Sequence, residues 1–254
     1  WIRAGRDLVD VSFMPEDPMP LRDEVGRAGI TVVLDAGFAP GLSNVLVGRI
    51  YSELGPLDHG EVNVGGLPKE PRPPLYHVVL FSPADLLDEY VRPARILRDG
   101  RLVTVDPLSY VERVRVLGLE LERFPTDGLR TMLHTIEARN LVEYTLRWPG
   151  HLERMRVLKE LGFLEPGQVG RTMEVIVPLM TYEVADVSIM EVVGRAGDSE
   201  VRYALYDEAT GGYTSMVRVT GYAAAYISHL VARGMVPAGL IPVSYTHLTL
   251  PTSD

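Results

Sequence analysis

The first 55 residues alternate between apolar strand-like runs and helix-like segments. Residues 9–13 form a short apolar run, and residues 20–29 have a helical pattern that ends in glycine. Residues 31–34 are a continuous β-branched and aliphatic run, typical of a strand that is buried on both faces. A glycine-containing turn at 35–41 then leads into a predicted helix at 42–54. This order predicts the back half of a doubly wound α/β domain.

From residue 61 the pattern changes to short strands separated by turns and helices. The predicted strands are 61–64, 76–81, 95–98, 101–105, 116–124, 187–193 and 201–205, and the predicted helices are 129–138, 151–161, 173–181 and 215–234. Asp99-Gly100 between two strand-like runs indicates a β-hairpin. Asp127 precedes a helical pattern and is predicted to cap it. This part of the chain predicts an α+β domain built on a mostly antiparallel mixed sheet.

These patterns divide the chain into four parts. We expect residues 1–55 to be the C-terminal part of the α/β domain, 56–212 to be the α+β domain, and 213–242 to be a helix that returns to the first domain. Residues 243–254 change character abruptly and look like one reading frame of a transposase mosaic-end adapter, so we expect a non-native tail. The alternative is a natural disordered tail. Because Trp1 lies at the end of a helix-like segment, we also expect an N-terminal part to be missing.

Composition excludes several classes of protein. The chain has 254 residues, 46% hydrophobic and 23% charged, as in an ordinary globular protein. A net charge of −9 argues against a nucleic-acid partner. The lack of cysteine excludes disulfides, thiolate metal sites and a cysteine nucleophile, and leaves a cytoplasmic location as the default. No apolar run approaches the roughly 20 residues of a membrane helix. The scattered histidines predict no metal site.

The turn at residues 35–41 is the first candidate for chemistry. It follows a buried strand and begins a helix, so it lies at the carboxyl edge of the sheet, where open α/β folds bind ligands. Its glycines permit close approach of a ligand to the backbone. The helix start would offer free N–H groups and partial positive charge to an anion. The alternative is an ordinary strand-to-helix turn.

Motifs along the whole chain carry a family resemblance. The turn and helix start read Asp-x-Gly-x-x-Pro-Gly-Leu-x-Asn at residues 35–44. Further matching segments are 9–13, 65–68, 89–95, 126–131, 145–151 and 220–222. Together, residues 1 to about 242 resemble the saccharopine dehydrogenase family, and the later segments resemble its lysine 6-dehydrogenase-like branch.

This resemblance implies an NAD(P)-dependent oxidoreductase that acts on the C–N bond of an amino acid. Such enzymes have a Rossmann domain, interrupted by an α+β domain that binds the substrate and forms a homodimer. Residues 1–55 would then be the C-terminal part of the NAD(P)-binding domain, and 56–212 the substrate-binding and dimerisation domain. The glycine-rich phosphate loop would lie upstream of Trp1, so we expect the chain to be inactive alone, with negligible affinity for NAD.

The resemblance also implies positions for the site residues. The cofactor-binding residues would be Val11, Ser12, Phe38, Ala39, Pro40 and Gly41. The substrate-binding residues would be Ser12, Phe13, Gly65, Gly66, Arg130, Thr131 and Arg147.

Some of these assignments have plain structural alternatives. Arg130 and Arg147 suit a substrate carboxylate by bidentate geometry, although Arg130 could instead pair with a neighbouring acid. Gly65 and Gly66 could simply end a strand. His151 and Asp127 are the candidates for proton transfer, since a histidine near a helix start stays neutral near pH 7. A structural role for the histidine is the alternative.

Two departures from the family favour a small substrate such as lysine. The fungal saccharopine reductases have an acidic residue where this chain has Ala39, and an arginine near Ala84. The alternative enzyme is a reductive condensing dehydrogenase, as in saccharopine or carboxynorspermidine formation. A third possibility is a non-catalytic dimerisation or ligand-binding module.

Overall fold

The computed structural model describes residues 1–249. In this part of the chain the strands form two β-sheets, and two helices pack against both of them. The strands are β1 (Leu8–Val9), β2 (Thr31–Val33), β3 (His59–Pro68), β4 (Ala94–Arg98), β5 (Arg101–Val105), β6 (Glu112–Val116), β7 (Leu119–Pro125), β8 (Leu141–Arg147), β9 (Asp186–Ala196), β10 (Ser199–Glu208) and β11 (Gly239–Ile241). The helices are α1 (Arg22–Ala28), α2 (Leu42–Leu54), α3 (Pro83–Asp88), α4 (Met132–Thr135), α5 (His151–Glu160), α6 (Val169–Leu179) and α7 (Ser215–Ala232).

The small sheet is parallel, with strand order β1-β2-β11. The central strand β2 is buried along its whole length, as its β-branched sequence predicts. After α7 the chain enters this sheet as β11, where Leu240 pairs with Val32. The return of residues 213–242 to the first sheet therefore includes a strand that the sequence pattern did not indicate.

The large sheet has the order β10-β9-β3-β8-β4-β5, and the β6–β7 hairpin joins it through β8. Strands β3 and β8 are parallel, whereas the other pairings within this sheet are antiparallel. The predicted α/β class with a mixed, mostly antiparallel second sheet is confirmed. Strand β8, at the centre of the sheet, was not predicted.

Helices α2 and α7 pack against both sheets. In α2, Val47 and Ile50 contact the core beneath β3 and β9, while Val45 contacts the core of the small sheet. In α7, Val219 belongs to the first of these cores and Ile227 to the second. A separate apolar cluster lies between α3, α5 and α6. The two shared helices therefore connect the cores of the two sheets.

Local predictions failed where a tertiary contact overrides the pattern. Residues 76–81 form no strand, and Leu117-Gly118 breaks 116–124 with positive φ angles of 47° and 84°. The predicted helix 129–138 shortens to α4, since Arg130 has φ 52°. Asp127 is not its cap. Its carboxylate instead accepts hydrogen bonds from the backbone N–H and guanidinium of Arg95.

The segment after β11 packs onto the first domain. Val243–Thr249 forms a 3-10 helix against α2, and Val243 is buried beside Val33 and Val45. Packing therefore continues beyond residue 242, where we placed the end of the fold. The non-native origin of residues 243–254 stays a prediction, and 250–254 lie outside the described residues.

Candidate active-site cleft

A cleft of about 210 Å³ opens where the carboxyl ends of β1 and β2 face the middle of the large sheet. One wall comes from the small-sheet side and the other from β3, β8 and the start of α7. Its lining residues are Val11, Ser12, Phe13, Gly37, Phe38, Ala39, Pro40, Val64, Gly65, Gly66, Phe81, Asp85, Glu89, Thr126, Glu143, Thr145, Arg147, Met216 and Thr220. This is the edge at which open α/β sheets bind ligands.

The turn after β2 supplies Phe38, Ala39 and Pro40 to the cleft, as the resemblance implied. Gly41 does not line it, because it packs under the turn: a Cβ there would lie 2.0 Å from the carbonyl oxygen of Gly37. The expected anion site at the helix start is also absent among the described contacts. The N–H groups of Leu42 and Ser43 already donate to the turn carbonyls of Gly37 and Phe38, at 2.9 and 3.1 Å.

The loop after β1 supplies Val11, Ser12 and Phe13 to the same wall. Val11 is 48% exposed, so an apolar side chain lies open at the mouth of the cleft. The Ser12 hydroxyl donates to the Asp10 carboxylate at 2.8 Å. The Phe13 ring lies 4.0 Å from the guanidinium of Arg92. These contacts hold the loop in place beside the turn.

The opposite wall is built on β3 and β8. Gly65 and Gly66 line the cleft, as the resemblance implied. A Cβ on Gly65 would lie 2.9 Å from the carbonyl oxygen of Leu146, and a Cβ on Gly66 would lie 2.4 Å from the Met216 methyl. The two glycines therefore allow β8 and α7 to approach β3 closely, rather than ending the strand.

Arg147 reaches the cleft from the end of β8 and is almost fully buried. Its guanidinium donates to the Glu89 carboxylate and, at 3.0 Å, to the Tyr90 hydroxyl. Burial raises the pKa of Glu89, and the charge of Arg147 opposes that shift. Of the five guanidinium N–H groups, three have partners in the described structure, which leaves donors for a ligand.

Glu143 is the acidic residue that the sequence reasoning missed. It lies at the centre of β8, is 3% exposed, and lines the cleft. Burial, reinforced by the negative charges of Glu89, Asp127 and Asp35, raises its pKa to about 8. A signal was available, since a lone glutamate stands within the apolar run Leu141–Arg147. Because the sequence analysis did not predict β8, it could not place this glutamate in the sheet.

His151 does not reach the cleft. Its ring nitrogens lie 2.7 Å from the Tyr90 hydroxyl and 2.6 Å from the Leu75 carbonyl oxygen, and the residue is fully buried. Burial, with the nearby charge of Arg147, lowers its pKa to about 3. We therefore withdraw His151 as a proton-transfer residue, and also Asp127, whose carboxylate is bound to Arg95 outside the cleft.

Arg130 and Thr131 are also buried away from the cleft. The Arg130 guanidinium donates to the Asp35 carboxylate at 3.1 Å and to the Glu16 carbonyl at 3.2 Å. Burial raises the pKa of Asp35, and Arg130 opposes that shift. This ion pair joins the turn after β2 to the inserted domain. Because Arg130 is buried and does not line the cleft, it is not placed to bind a substrate carboxylate there.

Residues 1–249 contain neither a metal site nor a membrane span. No cluster of three or more histidine, cysteine or acidic side chains in that range has the geometry to hold a metal ion. No helix in that part of the chain is both long and apolar enough to cross a bilayer. The side chains that line the cleft offer carboxyl, guanidinium and hydroxyl groups.

The fold and cleft define a class: an open parallel sheet joined to a larger mixed sheet, with a ligand cleft between them. Residues 37–247 match the saccharopine dehydrogenase C-terminal domain family, and the chain belongs to that family. This confirms the resemblance of the sequence motifs to the saccharopine dehydrogenase family.

The chain is also similar to curated proteins of known name. The mitochondrial alpha-aminoadipic semialdehyde synthase of Mus musculus is 28% identical over 177 residues, covering 64% of this chain and 19% of that protein. The saccharopine dehydrogenase [NADP(+), L-glutamate-forming] of Saccharomyces cerevisiae is 25% identical over 177 residues, covering 65% of this chain and 40% of that protein. The chain thus spans less than half the length of these relatives.

Solved structures share the fold. The apo saccharopine dehydrogenase (L-Glu forming) of Saccharomyces cerevisiae matches with a TM-score of 0.76 and 20% identity, over 97% of this chain and 76% of that one. A homospermidine synthase of Legionella pneumophila, in complex with NAD, matches with a TM-score of 0.62 and 12% identity, over 97% and 68%. At these identities the likeness concerns the fold alone.

Proposed function

We propose that this chain belongs to an NAD(P)-dependent oxidoreductase that acts on the C–N bond of an amino acid, of the lysine 6-dehydrogenase type. The observation that carries the proposal is the cleft itself. The turn Phe38 to Pro40 faces Glu143 and Arg147 across it. A hydride acceptor on one wall and an amine with its carboxylate on the other would meet in this space.

The first wall suits a nicotinamide ring. It is a largely apolar shelf formed by Val11, Phe38, Ala39 and Pro40. Gly37 also lines this wall, and a Cβ there would lie 3.3 Å from the Pro40 carbonyl oxygen, so glycine lets the turn close tightly beneath the shelf. The cofactor would supply the hydride acceptor. The yeast relative is named for NADP(+) and the Legionella homospermidine synthase is in complex with NAD, and both support this assignment.

The second wall suits an amino-acid substrate. Arg147 carries guanidinium N–H groups that could bind a carboxylate in addition to Glu89. The paired hydroxyls of Thr126 and Thr145, 2.8 Å apart, offer further polar contacts. The carboxyl group of Glu143 completes a site that can hold both a carboxylate and an amine.

A saccharopine-type reaction is the second candidate. The names of the curated relatives favour it. The sequence favours a smaller substrate, because Ala39 stands where the fungal reductases carry an acidic residue, and those reductases also carry an arginine near Ala84.

The two reactions differ in their substrates. The full-length gene product that contains this chain should reduce NAD(P)⁺ with L-lysine alone, as nicotinamide absorbance would show. Turnover with saccharopine but not with lysine would establish the second reaction instead. Lack of turnover in either direction across amino acids and polyamine precursors would refute both.

We further propose that the protein is a cytoplasmic homodimer, joined through the α+β domain. The family resemblance supports the dimer, whereas the named mammalian relatives are mitochondrial. Light scattering of the purified protein tests the dimer, and a monomer over the working concentration range would contradict it. Fractionation of source cells tests the location, and recovery of the protein in an organelle would contradict the cytoplasm.

A further inference from the structure

Glu143 has an acceptor atom that the described protein does not satisfy. Oε2 is buried and makes no hydrogen bond among the described residues. Its neighbour Gly128 leaves no room for a side chain, since a Cβ there would lie 1.5 Å from Oε1 of Glu143. The carboxyl group therefore lies tightly against backbone on one side and lines the cleft on the other. An unsatisfied buried polar atom of this kind calls for a partner from outside the chain, such as a water molecule or a ligand.

The charges around the cleft select the kind of donor. Its lining includes the acidic residues Asp85, Glu89 and Glu143, with Arg147 as the basic residue. Arg147 is paired with Glu89, so these two charges offset each other. Neither Asp85 nor Glu143 has an ion-pair partner among the described residues. The part of the cleft that contains Glu143 therefore favours a cation with N–H donors, such as a primary ammonium group.

We propose that Glu143 binds the reacting ammonium group of the substrate and accepts its proton. This inference rests on the proposed oxidoreductase function and gives it a proton acceptor. The ammonium transfers one proton to the Glu143 carboxylate and becomes a neutral amine. A bound NAD(P)⁺ would supply the acceptor for the hydrogen and its bonding electron pair on the carbon that bears this amine. The nitrogen lone pair forms the C=N bond, and the products are an iminium ion and NAD(P)H.

The free and bound states of Glu143 differ in protonation. Burial, together with the charges of Glu89, Asp127 and Asp35, raises the pKa of Glu143 to about 8, so the free protein holds it protonated near pH 7. An ammonium ion beside the carboxyl lowers its pKa again, because opposite charge favours the ionised form. Binding of an ammonium should therefore expel a proton into solvent.

Calorimetry can measure that proton directly and without any cofactor. L-Lysine is titrated into the chain at pH 7 in two buffers of different ionisation enthalpy. L-Norleucine, which lacks the ε-amine, is the matched ligand. We expect close to one proton released per lysine and none for norleucine. In the Glu143→Gln variant lysine should bind roughly tenfold more weakly, or worse, with no proton release.

Two variants control for structure. Glu61→Gln makes the same substitution on β3, which pairs with β8, and Glu61 lies outside the cleft. It should release the proton as the wild type does. Gly128→Ala keeps Glu143 but places a methyl group where its carboxylate lies. That variant should lose lysine-linked release, which provides a test even if Glu143→Gln fails to fold.

The outcomes separate this proposal from the proposed function. Three results would each overturn the ammonium site. The first is equal proton release by the wild type and Glu143→Gln, and the second is equal proton release for lysine and norleucine. The third is that the folded wild type does not bind lysine. Turnover of lysine by the full-length protein that Glu143→Gln leaves unchanged would also overturn it, with the oxidoreductase assignment intact. Proton-linked lysine binding without NAD(P)-linked turnover supports the ammonium site and contradicts the oxidoreductase.

Discussion

Replacement of Glu143 by glutamine should change how the stability of the protein depends on pH. In the unfolded chain this carboxyl titrates near its ordinary pKa of 4.5, whereas burial raises the pKa in the folded protein to about 8. Between these values the unfolded state binds fewer protons than the folded state. The free energy of unfolding therefore falls as pH rises through this window, and levels off above the folded pKa. Glutamine cannot ionise, so the variant lacks this decline.

The size of the effect follows from the two pKa values. Each unit of pKa difference corresponds to about 1.4 kcal/mol. The difference between 4.5 and about 8 thus gives at most about 5 kcal/mol. Water that enters the cleft around the ionised carboxylate would reduce this loss of stability, and we expect a loss of about 3 kcal/mol. The Glu143→Gln variant should resemble the wild type at pH 4 and be more stable by this amount at pH 9.

Urea unfolding at intervals between pH 4 and pH 9 measures this difference. Glu61→Gln is the control. Burial alone would raise the pKa of Glu61, but hydrogen bonds from His59 and Asn63 and the charge of Arg123 lower it to about 2. Its contribution to stability is therefore lost only as pH falls below 4.5, outside the window of Glu143. Parallel curves for wild type and Glu143→Gln from pH 5 to pH 8 would refute the raised pKa.

Three further predictions concern buried residues that lie outside the cleft. Arg130→Met should destabilise the protein by about 3–5 kcal/mol in urea unfolding, because it leaves Asp35 buried without its partner. Adding Asp35→Asn to that variant should recover much of the loss. If the effects of the two substitutions on the free energy of unfolding simply added, the pairing would be contradicted. Gly41→Ala should lower the free energy of unfolding by about 2–3 kcal/mol, since its Cβ would overlap a backbone carbonyl and its φ is 144°. Gly26→Ala, in open space on α1, should leave the free energy of unfolding unchanged or raise it. Equal changes for the two variants in urea unfolding would contradict the argument. Burial and nearby positive charge lower the pKa of His151 to about 3, so its contribution to stability should be lost as pH falls below 6.5, against the opposite trend from Glu143. The free energy of unfolding of the wild type minus that of His151→Gln should therefore decline below pH 6.5, and a constant difference would count against it.

Much of the fold could be read from local pattern. The β-branched run of β2 and the helix at Leu42–Leu54 were predicted at nearly their observed bounds. The Asp99-Gly100 hairpin was placed correctly between β4 and β5. Each of these features is encoded by neighbouring residues, because side-chain periodicity and turn chemistry act over only a few positions.

The cleft was only partly predictable. Phe38, Ala39 and Pro40 reach it because a turn that follows a buried parallel strand must emerge at the carboxyl edge of its sheet. Arg147 and Glu143 reach it only because β8 pairs with β3 across the middle of the second sheet. Nothing within β8 itself specifies that neighbour.

The sequence by itself determined the class of fold, the family and the turn that forms one wall of the cleft. The tertiary structure alone decided the partners of the charged residues. Arg130 pairs with Asp35, 95 positions away, and Asp127 with Arg95, 32 positions away. Burial makes these ion pairs and the raised pKa of Glu143 possible, since removal from water is what makes an unpaired charge costly. Burial of that kind arises from distant segments packing together, so no local pattern records it.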